Sequence, residues 1–315
     1  MIDGRLDDAA WREAPWTDDF ADIEGDLKPR PRYRTRAKML WDDQFFYIAA
    51  ELDDPHVWAT LKQHDSVIFQ DNDFEVFIDP DGDNHAYYEY EINALNTDWD
   101  LFLQRPYRDG GPALNGWEIV GLKSGTHVNG TLNDPSDKDR GWTVELAFPW
   151  KALGHYTDRP SPPRDGDQWR LNFSRVEWEP VVEGKTTKKV AGKREDNWVW
   201  SPQGVVDMHR PERWGFVQFS IGEPGKAAFR PDPAQPVRDR LMAVYHAQNT
   251  YRAKHKSWSD SAKRLDLPPG SPQPELVLSG EGYRASITLE PIEGRRRETW
   301  TIRQNSRITR TTDDR

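Results

Sequence analysis

The chain has 315 residues, 15 tryptophans, 24 prolines and no cysteine. At that length it can bury a core without cross-links, and the missing thiols exclude thiol nucleophiles, Fe–S clusters, thiolate zinc sites and CxxC redox chemistry. The net charge of −10 divides unevenly: residues 222–315 hold 17 Lys and Arg against 12 Asp and Glu, a net +5, which leaves −15 on residues 1–221 together with 13 of the tryptophans. Such an acidic, Trp-rich body lacks the clustered cations that phosphate neutralisation needs, which argues against nucleic acid and favours oxygen-ligated cations and polyols.

In chain order, Asp7–Trp11 reads as a brief helical turn. Short alternating segments follow at Ala37–Leu40, Phe45–Leu52, Phe74–Ile78, Tyr88–Asn93, Glu118–Leu122, Trp142–Phe148, Trp169–Val176 and Gly215–Phe219, with a second helical turn at Trp150–Leu153. Phe74, Val76 and Ile78 share one strand face and leave Glu75 on the other. Tyr88, Tyr90 and Ile92 likewise oppose Glu89, Glu91 and Asn93. Turn-forming clusters at Asp79–Asn84 and Asn133–Gly141 separate the segments. About eight short strands without interleaved amphipathic helices predict an antiparallel β-sandwich, jelly-roll or immunoglobulin-like, over residues 1–221.

Pro224, Pro231, Pro233 and Pro236 punctuate the passage into residues 222–315. From about Val237 to Leu265, the residues Leu241, Val244, Tyr245, Tyr251, Trp258 and Leu265 recur at helical spacing, which predicts one long helix broken near Ser257. Strands at Glu275–Leu278, Tyr283–Leu289 and Thr299–Arg303, with turns at Ser279–Gly282 and Glu293–Arg295, complete a small α+β extension whose plainest role is structural. No apolar run approaches the length of a membrane-spanning helix. The chain opens at Met1-Ile-Asp-Gly without a charged-then-apolar leader. An extracellular or periplasmic protein whose signal peptide has been removed is the expectation.

Three catalytic classes lack their parts: there is no GxxxxGK[ST] or strand-linked GxGxxG, no HExxH and no GxSxG. Carboxylates two residues apart in strands project from one face, so Asp73 with Glu75, Glu89 with Glu91, and Glu177 with Glu179 supply the pairs that glycoside hydrolysis would need, Glu75, Glu89, Glu91 and Glu177 being the foremost candidates. The bland reading of each is a solvated strand face. Asp79, Asp81 and Asp83 alternate oxygen ligands through a Gly-containing turn, as a hard cation such as calcium requires, although a plain hairpin turn reads equally well. Asp3 and Asp7, together with Asp53, offer a second calcium set. Trp178, Trp198 and Trp200, amid Glu177, Glu179, Asn197 and Ser201, provide aromatic faces and polar edges suited to a sugar ring. Trp11, Trp41, Trp142, Trp169 and Trp214 are expected in the core. Lys185, Lys188, Lys189, Lys193 and Arg194 crowd a long loop before Trp198, either as a solvated basic loop or, if the loop borders the site, as a selector of anionic sugars.

Seven segments in order resemble the carbohydrate-binding module family 9-like, DOMON-related β-sandwich domain. They are Asp3–Trp11; Leu40-Trp41-Asp42-Asp43 into Phe46–Ala50; Asp71–Pro80; Tyr87–Ala94; Gly141–Glu145 through Phe148-Pro149-Trp150; Arg170–Arg175; and Trp200-Ser201-Pro202 with His209–Gly215. The resemblance covers about residues 2–221. It implies a calcium-braced sandwich that clamps an oligo- or polysaccharide between two aromatics. Carried over by position, Trp200 is one wall, Asn197 a hydrogen-bonding neighbour and Glu75 an edge ligand, while Phe69 stands where sugar-binding members place their other tryptophan. Arg175 substitutes for the cationic partner that those members place on the strand occupied here by Glu89-Tyr90-Glu91. The primary expectation is glycan binding. A glycoside hydrolase or lyase working through Glu75, Glu89, Glu91 and Glu177 is the alternative, and a haem- or metal-binding sandwich using His85 or Met208 with His209 is a minor one.

Overall fold

The computed structural model describes residues 1–270, 272–280, 282–291 and 296–312, in two compact units. The first comprises Met1–Asp81, Ala86–Gln104 and Pro112–Ala228. It is a sandwich of two antiparallel sheets. The smaller sheet orders its strands Thr35–Trp41, Phe45–Asp53, Gly141–Pro149 and Lys123–Asn129. The larger runs Ala21–Asp22, Asp196–Val199, Gln168–Glu177, Asp73–Asp79, Tyr87–Asn93, Asp98–Leu103 and Ala113–Leu114, with Gly215–Gln218 also paired to Gln168–Glu177.

The period-2 alternation read from the sequence fills the space between the sheets. Phe46, Ile48, Ala50 and Leu52 with Trp142, Val144, Leu146 and Phe148 point inward from the smaller sheet. Phe74, Val76 and Ile78, Tyr88, Tyr90 and Ile92, and Trp169, Leu171 and Phe173 meet them from the larger one. Trp11 lies against the outer side of the smaller sheet with Ala14 and Ala49, its indole N–H donating to Glu145 Oε1 at 2.9 Å. Glu145 also accepts from the Asp3 and Gly4 amides, at 2.9 and 3.3 Å, and so pins the amino-terminal segment.

Several expectations are corrected. Glu118–Leu122 is a turn: Leu122 N bonds Ile119 O and Gly121 takes a φ of +88°, so the strand begins only at Lys123. Asp98–Leu103 is a central strand that the periodicity did not reveal. The stretch holding Trp198 is the strand Asp196–Val199 rather than a loop, and the basic segment before it starts as a hairpin of Pro180–Glu183 with Thr186–Lys189.

The second unit comprises Gly82–His85, Arg105–Gly111 and Phe229–Arg315. Its helix, Gln235–His255, ends where Lys256 takes a left-handed φ of +59°, ten residues short of the expected Leu265. The sheet beside it orders Glu275–Ser279, Gly282–Leu289, Glu298–Arg303 and Ile308–Thr312, the last unforeseen. Leu241, Val244 and Tyr245 pack on Tyr283, Ala285, Ile287, Trp300 and Ile302. Glu281 of the expected turn at Ser279–Gly282, and the whole turn at Glu293–Arg295, lie outside the described residues.

Candidate functional site

The outer face of the larger sheet divides into two halves. Toward one end it is apolar: Phe77, Tyr87, Leu101, Leu103 and Val199 are covered by Ile23, Met208 and Trp214. Toward the other end the same face carries carboxylates. Strand register sets them side by side, with Glu75 opposite Glu91 in one neighbouring strand and opposite Ser174 in the other, and Phe77 opposite Glu89. Asp73, Glu75 and Glu91 each place an oxygen within 4.8 Å of the others.

All four acids are buried: Asp73 is 0 % exposed, Glu91 2 %, Glu75 and Glu89 5 %. Neighbouring segments hold some of their oxygens. The Phe69 amide donates to Glu91 Oε2 at 2.9 Å and the Val176 amide to Asp73 Oδ1 at 3.1 Å. Trp178 ties the rim together, its amide donating to Asn72 Oδ1 at 2.8 Å and its indole N–H to the Phe69 carbonyl at 2.8 Å. The second Asp73 oxygen, Oδ2, and Glu89 Oε2 are buried without a hydrogen-bond partner among the described residues, as is the indole N–H of Trp99, which stands opposite Glu91. Buried polar atoms are nearly always satisfied in a folded protein, so these three are exceptions within the cluster.

Burial pushes Glu75 up to about 7, against the Ser174 hydroxyl that favours its ionised form and with the Glu195 charge adding to the push. Burial, followed by the charge of Glu75, holds Asp73, Glu89 and Glu91 well above the ordinary carboxylate range. Near neutral pH the cluster therefore retains protons, and carboxyls in both states can donate as well as accept hydrogen bonds. His209, at the boundary with the apolar half, lies 4.0 Å from Glu89 Oε2 through Nε2 and bonds the Tyr87 hydroxyl through Nδ1 at 2.9 Å.

The residues singled out by sequence do not all meet here. Glu75, Glu89 and Glu91 do, and Asn197, opposite Val176, shares their face. Phe69 and Trp178 form the rim just described. Arg175 and Glu177 do not belong to the site, because the register that puts Ser174 on the Glu75 face turns Arg175 and Glu177 inward. There Arg175 Nη2 pairs with Glu177 at 2.9 Å, and its Nη1 donates to Thr35 Oγ1 and the Asp53 carbonyl. Trp198 is a core side chain, 3 % exposed, under Arg32 and Arg175. Trp200 packs on the core beside Phe173, its ring so close to Gly215 that a Cβ there would come within 2.6 Å of it. Trp99 is the aromatic that sequence reading missed, because its strand was not recognised.

The second calcium set, Asp3 and Asp7 with Asp53, is scattered. Asp3 accepts from the Arg5 amide, and Asp53 lies 3.5 Å from Arg34 Nε. Among the described residues, Asp3, Asp7 and Asp53 join no group of three metal-ligating side chains. Asp79 is fully buried at the end of its strand and Asp81 accepts from Thr157 Oγ1 at 3.3 Å, whereas Asp83, in the second unit, holds Arg307 Nε at 2.8 Å. In the basic segment, Lys188 and Lys193 pair with Glu183 and Glu179, while Lys189 reaches the rim, 3.6 Å over the Trp178 ring and 3.1 Å from Gln70 Oε1. The haem ligands considered are otherwise engaged: His85 Nε2 bonds the Asn305 carbonyl, and Met208 is packed under Trp214.

A two-sheet sandwich with a polar, aromatic-rimmed patch on one outer face has the architecture of a ligand-binding β module. The chain belongs to the carbohydrate family 9 binding domain-like family, whose model matches residues 2–164, a little over half its length. It is 25% identical over 153 residues to the exoglucanase XynX of Acetivibrio thermocellus, a match covering 49% of this chain and 12% of that protein. With the endo-1,4-beta-xylanase A of Thermoanaerobacterium saccharolyticum it shares 26% identity over 116 residues, 37% of this chain and 8% of the enzyme. The chain thus matches only a small part of each of these curated relatives. Among solved structures, a family 9 module from Caldicellulosiruptor kristjanssonii in complex with cellotriose aligns with a TM-score of 0.47 at 17% identity, covering 74% of this chain and 95% of that one. The same organism's module in complex with glucose gives 0.48 at 16% identity, covering 72% and 95%. No helix among the described residues is long and apolar enough to cross a membrane.

Proposed function

We propose that the protein is a non-catalytic glycan-binding protein that holds its sugar on the carboxylate half of the larger sheet. The observation that carries this reading is the set of Asp73, Glu75, Glu89 and Glu91 brought side by side on one outer sheet face, with Phe69, Trp99 and Trp178 around it. Sugar hydroxyls both donate and accept, which suits partly protonated carboxyls, and Phe69, Trp99 and Trp178 supply apolar faces for the ring. Asn197 is the amide neighbour on the same face. Family membership supports the reading, as do the glucan- and xylan-directed names of the relatives that share the domain. Those relatives also make a protein working outside the cytoplasm on plant-type polysaccharides part of the proposal.

Calorimetry against glucans, xylans, mannans and uronic-acid polymers tests it. One glycan should bind, and Glu75→Ala with Glu91→Ala, which removes both carboxyls, should weaken that binding about tenfold or more, the cost of losing their hydrogen bonds. No binding across the panel would sink the reading. A second reading, hydrolysis, rests on Glu75 held at about 7 within 4.8 Å of Asp73 and Glu91, the proximity and protonation an acid–nucleophile pair uses. New reducing ends on incubation with the same panel would establish it. Calcium enters the proposal as a brace at the turn after Asp79, where Asp79 and Asp81 give the all-oxygen donors a hard cation takes. Adding EDTA should then lower the melting temperature, and an unchanged melt would remove the ion from the account.

A further inference from the structure

The second unit contains a cavity of about 590 Å³ of its own, within the size range of small-molecule sites. One side of it is the Tyr245–Arg252 stretch of the helix; Arg105 and Arg108, Trp258, and Gln304 with Asn305 form the remainder. Its charge is one-sided. Asp109 is the single acid in the lining, and its two oxygens are taken by the Tyr245 hydroxyl at 2.6 Å and the Ser306 hydroxyl at 2.5 Å. Arg105 and Arg252 have no carboxylate partner among the described residues, and the Arg252 guanidinium sits 4.5 Å from the Trp258 ring centroid.

We infer that this cavity is a second binding site, for a carboxylated sugar residue such as a hexuronate within an acidic oligosaccharide. A guanidinium fork pairs bidentately with a carboxylate, the Trp258 ring suits the apolar side of a pyranose, and the amides of Asn249, Gln304 and Asn305 match its hydroxyls. A polyphosphate fits less well. No glycine-rich loop or helix amino terminus, the backbone cradles that phosphate groups use, lines the space. The +5 charge of residues 222–315 agrees with an acidic ligand, in contrast to the carboxylate face of the sandwich, which repels one.

The test is calorimetry on the full chain with trigalacturonate, with cellotriose as neutral control and sodium phosphate as a bare anion. Trigalacturonate should bind with an affinity that falls as salt is raised. Arg105→Gln with Arg252→Gln should weaken it about tenfold or more. Arg105→Lys with Arg252→Lys, which keeps the charge and removes the forks, should fall between. Trp258→Ala should weaken binding as well, and unchanged melting curves would show that the variants are folded. Three results would overturn the inference: no binding of trigalacturonate, binding indifferent to both arginine pairs, or inorganic phosphate competing as an equal. Loss seen only in the Glu75→Ala, Glu91→Ala variant would place the acidic sugar on the sandwich and overturn it too, whereas neutral-glycan binding there is judged separately by the same carboxyl variants.

Discussion

The protein should melt at a higher temperature near pH 5 than near pH 8, the reverse of the trend set by salt-bridged surface carboxylates. Glu75 is held at about 7 and Glu177 at about 8 in the fold, in each case chiefly by burial, against 4.5 for the free side chain. The folded chain therefore keeps protons that the unfolded chain has released. Stability must drop as pH climbs from about 4.5 through 7 and 8, and each site is worth on the order of 3 kcal/mol once fully ionised. Asp73, Glu89 and Glu91 are displaced in the same direction and add to the slope. His64 works with them: although burial opposes its charge, hydrogen bonds to Asp98 and Glu118 raise it to about 9, so its contribution is present below about 6.5 and lost as pH rises through 9. Scanning calorimetry across this range is the measurement. Glu75→Gln, which cannot ionise, should flatten the profile, and a melting temperature that climbs from pH 5 to pH 8 would show that the cluster is not buried as described.

The sandwich was legible because half-buried strands advertise themselves. Phe74–Ile78 and Phe45–Leu52 alternate, and their inward residues are the core. Asp98–Leu103 was not legible for the opposite reason: Leu101, Phe102 and Leu103 are consecutive apolar residues because both faces of that strand are covered, so no alternation survives. Trp99 was lost with it. Glu118–Leu122 misled because Ile119 is apolar in a turn, its amide held by the Asp100 carboxylate. At the site, i and i+2 spacing placed Glu89 with Glu91 correctly, since parity within a strand is local. Parity between strands distant in sequence is not. Whether Arg175 or Ser174 faces Glu75 depends on a pairing register fixed by the whole sheet, and one step of difference moves Arg175 and Glu177 from the ligand face into the core. The same step carries Trp198 inward, and Trp200 is partly buried against the core with its ring in the space left open by Gly215.

Arg175→Met should be a damaging change in the sandwich above about pH 8, where Glu177 is ionised, costing about 3–5 kcal/mol in denaturant unfolding. Arg175 is fully buried between the sheets, with Glu177 at 2.9 Å and Asp54 at 3.8 Å, and its ring neighbours Tyr33 and Trp198 offer a cation nothing but their faces. Methionine fills a similar volume, so little of the cost is cavity. It arises because Glu177 and Asp54, 1 % and 3 % exposed at their side chains, are left as buried acids with no cation, and one Asp54 oxygen lacks a hydrogen bond even in the intact protein. The penalty should therefore depend on pH. Arg175 is what restrains Glu177 against its burial, so without it the carboxyl holds its proton to higher pH, and the variant should lie closest to the parent at pH 7 and below and fall behind it increasingly above pH 8. Changing both partners, Arg175→Met with Glu177→Met, removes the two charges together and should recover most of the loss, because an apolar pair avoids the desolvation that the ion pair must offset. A single variant that costs less than about 1 kcal/mol, or a double variant no better than the single, would mean that the pair is solvated and that the inward register of Gln168–Glu177 is not the one the protein adopts.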